Sequence, residues 1–198
     1  MIQMPLLKTP RLLIRPFFLS DLPEVHRLLD VELRQAGLPD EEIMTLEGRA
    51  QWLQWSVLNY DQLAQLNQPP YGDRGVILRS TGQLIGACGF VPCLMPFEQL
   101  PGFVAGKSSG APALSTTEFG LFYSISPEHQ RLGYASEAVR ALVDYAFQHL
   151  QLKRVIATTT YDNVASVGVM RKLGMRIEKN PHPEPPWMQV VGVLEQTR

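Results

Sequence analysis

With 198 residues, 45% of them hydrophobic and 19% charged, the chain has enough apolar material for one domain with a packed core. A formal net charge of -1, with no basic block and no ladder of aromatic and basic residues, argues against an electrostatic grip on nucleic acid. Two cysteines, Cys88 and Cys93, are too few for a disulfide scaffold, and four scattered histidines leave no zinc-ligand set, so no metal is expected.

The opening MIQMPLLKTPRLLIRP is interrupted by Lys8 and Arg11 before any apolar core of signal-peptide length, and no run approaches a membrane span. The expected home is a reducing cytoplasm. Arg11 to Phe18 reads as a first strand. Ser20-Asp21 offers a helix cap with Pro23 in the first turn, and the short helix that follows ends near Asp30. Val31 to Met44 reads as a loop or broken helix. Thr45 caps a second helix in which Ala50, Leu53, Val57 and Tyr60 keep helical spacing. Trp52 and Trp55 lie on other faces of it and read as core, with lining of an acceptor cleft as the alternative.

Gly75 to Arg79 and Gln83 to Val91 are strands joined through Ser80-Thr81-Gly82, a hairpin signal. Pro92 to Thr116 is the least regular stretch, an insertion rich in proline and glycine that still carries Phe97, Leu100 and Phe103. Its apolar front is expected to fold over a substrate, these three side chains walling the acceptor side, and its back from Lys107 to Ala113 to be mobile. Glu118 to Ile125 is a strand ended by Ser126-Pro127. Behind it Ala135, Val139, Leu142, Val143, Ala146, Phe147 and Leu150 form one apolar helical stripe. Arg154 to Thr160 is a strand, Asn163 to Leu173 a short helix stopped by Gly174, and Met175 to Lys179 a strand. A proline-rich connector leads to a last strand over Met188 to Leu194. Strands alternating with helices give a mixed α/β fold.

Gln130-Arg131-Leu132-Gly133-Tyr134-Ala135-Ser136 joins a strand to a helix N-terminus. The unpaired N–H groups and partial positive charge there suit a phosphate or pyrophosphate. Gly133 admits close approach, Arg131 adds charge and Ser136 a hydroxyl. The turn taken by itself reads equally as an ordinary strand-to-helix connection.

The run Gln130-x-x-Gly133-x-Ala135 after Ile125-Ser126-Pro127 resembles the pyrophosphate motif of the GNAT acyl-CoA N-acyltransferases. Asn163-Val164-Ala165-Ser166 with Arg171-Lys172-Leu173-Gly174-Met175 is similar to that family's second cofactor motif, and Leu7 to Pro16 to the opening strand of its Rim-type branch, whose founders acetylate ribosomal-protein N-termini. The resemblance implies a single domain over residues 1–198. It implies a mixed, mostly antiparallel sheet of about seven strands with a splayed central pair and helices on both faces. It implies an acetyl-CoA-dependent N-acetyltransferase acting on a primary amine, a protein N-terminus or a small molecule, with a homodimer left open. The alternative is a catalytically degenerate CoA-binding sensor or structural module.

By position, the resemblance gives Tyr123 and Ile125 backbone contacts to pantetheine, and sets Gln130, Arg131, Leu132, Gly133, Tyr134, Ala135 and Ser136 around the pyrophosphate. Asn163 fixes the pantetheine arm while also capping its helix. Glu118, at the head of the central strand, is the candidate general base, or else a solvent-facing glutamate at a strand edge. Many family members place a tyrosine acid seven residues after the motif asparagine. Met170 stands there, which leaves the Ser166 hydroxyl, or a helix-start serine with no catalytic part.

Overall fold

A computed structural model describes residues 4–37, 43–103 and 114–196. Two compact units emerge, Met1–Phe90 with Phe122–Asp144 and Val91–Leu121 with Tyr145–Arg198. The eight strands make one mixed, mostly antiparallel sheet. They are β1 (Leu7–Lys8), β2 (Leu12–Arg15), β3 (Gly72–Leu78), β4 (Leu84–Met95), β5 (Thr116–Ile125), β6 (Arg154–Thr159), β7 (Arg176–Lys179) and β8 (Val190–Glu195). Both β4 and β5 run through both units. The strand added to the expected seven is β1, too short for a sequence pattern and held by pairing Leu7 with Ile14 on β2.

In the first unit β1, β2, β3 and β4 form an antiparallel series, with Ile14 opposite Val76 and Val76 opposite Gly86. The β3–β4 hairpin closes as its turn residues suggest: Gly82 takes φ 74° and its N–H reaches Leu78 O at 2.8 Å. Beyond β4 comes the end of β5, where Ser126, the residue after the strand, donates its N–H to Ile85 O at 2.9 Å. One face of these strands packs on helices. Phe17, Val25, Leu28, Leu29, Leu53, Ile77, Leu84 and Ala87 form its buried core, with Trp52 and Phe122 against them.

The helices of that core depart from expectation at one point. After α1 (Leu22–His26) the chain stays helical through a π-helical stretch, Arg27–Glu32, and α2 (Leu33–Gln35). Asp30 does not end the helix, because its carboxylate is turned inward rather than to solvent. Arg49 bonds it twice, at 2.8 and 2.7 Å, and Met44 N–H at 2.9 Å. The second helix, α3 (Leu46–Gln65), starts where expected: Thr45 Oγ1 accepts from Gly48 N–H at 3.1 Å. Trp52 lies edge-on to Phe17 at 5.6 Å, but Trp55 is 56% exposed and no part of the core. Its position on α3 turns it away from the apolar stripe.

In the second unit β4 and β5 are followed by β6, β8 and β7. Here β5 and β6 run parallel, with Gly120 opposite Ile156, while β8 pairs antiparallel with both β6 and β7. Two 3-10 turns, Phe97–Gln99 and Pro101–Phe103, lie in the stretch expected to be irregular. The segment from Lys107 to Ala113, expected to be mobile, lies outside the described residues. The last strand begins two residues later than expected, because Met188 belongs to a 3-10 turn. Among the described residues no helix is long and apolar enough to cross a membrane.

Candidate active site

The turn between β5 and α4 (Tyr134–Gln148) belongs to the first unit. Its backbone is unusual at two positions: Arg131 takes φ 61° and Gly133 φ 83°. Left-handed residues this close turn successive N–H groups toward one side, the concave arrangement that binds anions. The Gly133 carbonyl then accepts the first intrahelical bond, from Glu137 N–H at 3.0 Å. The N–H groups of Tyr134, Ala135 and Ser136 are thereby left without intrahelical acceptors. Ser136 Oγ donates to Gly133 O at 3.2 Å, which keeps its lone pairs available.

Two side chains brace this turn. Gln130 Nε2 donates to Ile125 O at 3.0 Å, so this carbonyl, expected to face pantetheine, is engaged by the loop itself. The second brace is Arg11, to which sequence reasoning assigned no role although it sits in the opening motif. Its Nη1 donates to Leu132 O at 3.0 Å, its Nε to Glu137 Oε2 at 2.6 Å, and its guanidinium lies 4.4 Å from the Tyr134 ring centre. Glu137 also accepts from Arg11 N–H at 3.0 Å and Thr9 Oγ1 at 2.5 Å. Burial opposes the charge on Glu137, but these donors outweigh it and hold its carboxyl below the usual carboxylate range. The loop residues Arg131 and Leu132 stay exposed. The signal for Arg11 lay in its place beside a strand start, but its partners are over 120 positions away.

The second unit holds the other candidates. Glu118, on β5, is 7% exposed, not solvent-facing. Arg154, on β6, reaches it with both arms: Nε bonds Oε2 at 2.7 Å and Nη2 bonds Oε1. That hydrogen bonding raises the Arg154 pKa further. Arg154 also covers the Phe103 ring, 4.6 Å from its centre. A carboxylate held by a guanidinium fork has its oxygens committed to that cation. Glu118 is thus tied to a cation on the neighbouring strand, a partner that competes with the expected role as the acceptor's base.

Phe97 and Leu100 require a correction. Each is 0% exposed, in a cluster with Cys93, Ile156, Met188, Val191 and Val193. The Phe97 and Phe103 rings stack at 5.2 Å. Phe97 and Leu100 offer no surface to a ligand: the 3-10 turns fold them onto β6 and β8 as core. Only Phe103 is half-buried.

Asn163 precedes α5 (Val164–Leu173) and caps it, its Oδ1 accepting from Ser166 N–H at 3.0 Å. Its Nδ2, on an exposed side chain, has no acceptor among the described residues. Ser166 is half-buried. Met170 is 0% exposed and packs on β8, where a Cβ at Gly192 would lie 3.0 Å from its sulfur. Tyr123 is half-buried on β5, in the first unit.

A family model described as an acetyltransferase (GNAT) domain matches residues 11–176. The chain belongs to the GNAT acetyltransferase family. The N-acetyltransferase YoaA of Bacillus subtilis (strain 168), itself uncharacterised, is 32% identical over 177 residues, 88% of this chain and 84% of that protein. A further N-acetyltransferase of that strain, YnaD, also uncharacterised, is 44% identical over 63 residues, only 36% of its own length. Among solved structures, a GNAT-family acetyltransferase from Bacillus anthracis aligns with TM-score 0.64 at 24% identity, covering 96% of both chains. RimL, a ribosomal L7/L12 alpha-N-protein acetyltransferase in complex with coenzyme A, aligns with TM-score 0.61 at 16% identity, covering 97% of this chain and 96% of its own. At such identities the structures establish the GNAT fold and nothing finer.

Proposed function

We infer that this GNAT acetyltransferase takes its acetyl group from acetyl-CoA and gives it to a primary amine, a protein N-terminus or a small molecule. One observation carries the reading: the paired left-handed residues Arg131 and Gly133 stand ahead of a helix whose first N–H groups are open. A pyrophosphate fits those donors. A Cβ at Gly133 would be strained at φ 83° and would lie 3.4 Å from Arg11 Nη2, so the loop has reason to carry glycine there.

Bound acetyl-CoA supplies an activated acyl group. The chain's own part is to hold and orient it. The N–H groups of Tyr134, Ala135 and Ser136 receive phosphate oxygens, Arg131 adds a cation, and Gln130 steadies the loop from Ile125. Asn163 Nδ2 suits a pantetheine amide, and the Ser166 hydroxyl suits a proton donor to the departing sulfur. Residues 1–198 are read as one acetyltransferase domain, and the free, buried Cys88 and Cys93 suit a reducing cytoplasm.

Calorimetry with CoA tests the reading. Wild type is expected to bind, and Gly133→Val to lose binding while its circular dichroism is kept. Equal affinity in the two proteins would move the phosphate site elsewhere.

A further inference from the structure

Arg154 competes for Glu118, and the first unit contains a second candidate, a carboxylate with one buried oxygen that has no partner among the described residues. Asp73 stands at the start of β3, and its Oδ1 is buried with no hydrogen-bond donor among the described residues. Orphaned buried polar atoms are rare and call for an explanation. The backbone approaches closely on one side of Asp73. Directly opposite on β4 is Gly89, where a Cβ would lie 2.1 Å from Gly72 O and 2.8 Å from Asp73 Cα. On the other side, the β2 pairing stops at Arg15 opposite Gly75, short of Asp73.

The carboxylate is on the face of the sheet that carries helices. Gly75, two residues on and so on the same face, would place a Cβ 3.2 Å from Phe17 and 2.9 Å from Leu84, both members of the helix-packed core. The start of β3 is fixed from α3, with Tyr60 Oη donating to Gly72 O at 2.9 Å and Asn59 Nδ2 to Tyr71 O at 2.6 Å. The charged and titratable groups around Asp73 are Arg49 and Tyr60 on α3, Arg74 on β3 and Cys88 on β4. None of them donates to its Oδ1 in this arrangement. The Arg49 fork is spent on Asp30, 2.8 and 2.7 Å away, and Arg74 donates to Met4 O and lies 5.2 Å from the Tyr60 ring centre. Burial, only partly offset by Arg49, lifts the Asp73 carboxyl to about 6. A proton acceptor poised near neutrality is more useful than an ordinary aspartate.

We propose that Asp73 is the acceptor-side carboxylate of this enzyme, its Oδ1 accepting a hydrogen bond from the ammonium of a primary aliphatic amine and then taking its proton. The step is balanced: the N–H bond breaks with its electrons left on nitrogen, an O–H bond forms on Asp73, and a cation and an anion become a neutral amine and a neutral acid. Solvent recovers the proton after turnover. The proposal rests on the reading that the chain acetylates amines, and its test separates the two.

Carbon-13 labelling of aspartate carboxyls, assigned by comparison with Asp73→Asn, reads the site directly in the whole protein. The Asp73 signal is expected to titrate near 6, and to move when putrescine is added but not with matching sodium chloride. In parallel, kcat/KM for putrescine with acetyl-CoA is expected to fall on the acid side through that midpoint. Asp73→Asn should lower kcat/KM about 100-fold, abolish the acid limb and leave CoA affinity unchanged. A signal that titrates with ordinary aspartates and ignores putrescine overturns the proposal, as does an Asp73→Asn enzyme that keeps both rate and acid limb. If the signal moves with putrescine but wild type releases no thiol, the ammonium site stands and the acetyl-transfer reading falls.

Discussion

Arg154 holds Glu118 by both carboxylate oxygens, and Glu118 is buried beneath that grip. Breaking such a pair from one side strands a charge. Arg154→Ala is expected to destabilise the protein by about 2 kcal/mol, less than a fully buried pair would lose because the Arg154 side chain is 37% exposed. Glu118→Gln keeps the shape and should cost about 1 kcal/mol while retaining most turnover. Urea denaturation beside a thiol-release assay measures both. Lost turnover with unchanged stability would restore Glu118 as the base.

Arg11 ties the β1–β2 connection to the loop ahead of α4 through Leu132 O, Glu137 and the Tyr134 ring. Arg11→Ala should therefore loosen the loop and weaken CoA binding about tenfold, the equivalent of one charge-assisted hydrogen bond. Gly133→Val should weaken it further, since it adds left-handed strain to lost access. Calorimetry ranks the two, and the reverse order would mean that the loop's shape is not set by Gly133.

Phe97→Ala is expected to cost about 3–5 kcal/mol and Leu100→Ala about 2–5 kcal/mol, because both side chains are fully buried among Ile156, Met188 and Val191. Thermal denaturation reads this. A change in acceptor KM without a fall in stability would return these residues to the substrate cleft.

Asp73 makes a prediction about pH. Its carboxyl is raised to about 6 in the folded chain, above the ordinary unfolded value near 4. The native state therefore binds more protons than the unfolded state in that interval. Stability from this group is full below the unfolded value and is lost as pH climbs through about 6. The loss is at most roughly 3 kcal/mol for a shift of about two units. Asp73→Asn should remove that slope and be the more stable protein at neutral pH. Urea midpoints across the interval measure it, and identical slopes in the two proteins would place Asp73 in water.

The strands from β2 onward and the turn ahead of α4 were legible because their signals are local: alternation, helical spacing, and glycine before a helix. What escaped depended on partners far along the chain. Glu118 reads as an edge glutamate until Arg154, 36 residues on, closes over it. Asp30 looks like a helix end until Arg49 pairs with it, and Phe97 looks like a lid until β6 and β8 arrive beneath it. Asp73 had no motif at all. Its distinction lies in what is missing around it, and only packing can reveal an absent donor. The stop of α5 at Gly174 shows the opposite case, since its φ of 83° is a local demand met by a local residue.

The most direct measurement is coupled: thiol release from acetyl-CoA together with mass detection of the acetylated amine, for wild type and Gly133→Val, over a panel of primary amines and N-terminal peptides. Wild type is expected to release thiol in step with acetylated product for at least one acceptor, and Gly133→Val to do neither at the same acetyl-CoA concentration. Tight CoA binding by wild type with no thiol release for any acceptor would contradict acetyl transfer to amines and leave a CoA-binding module in its place.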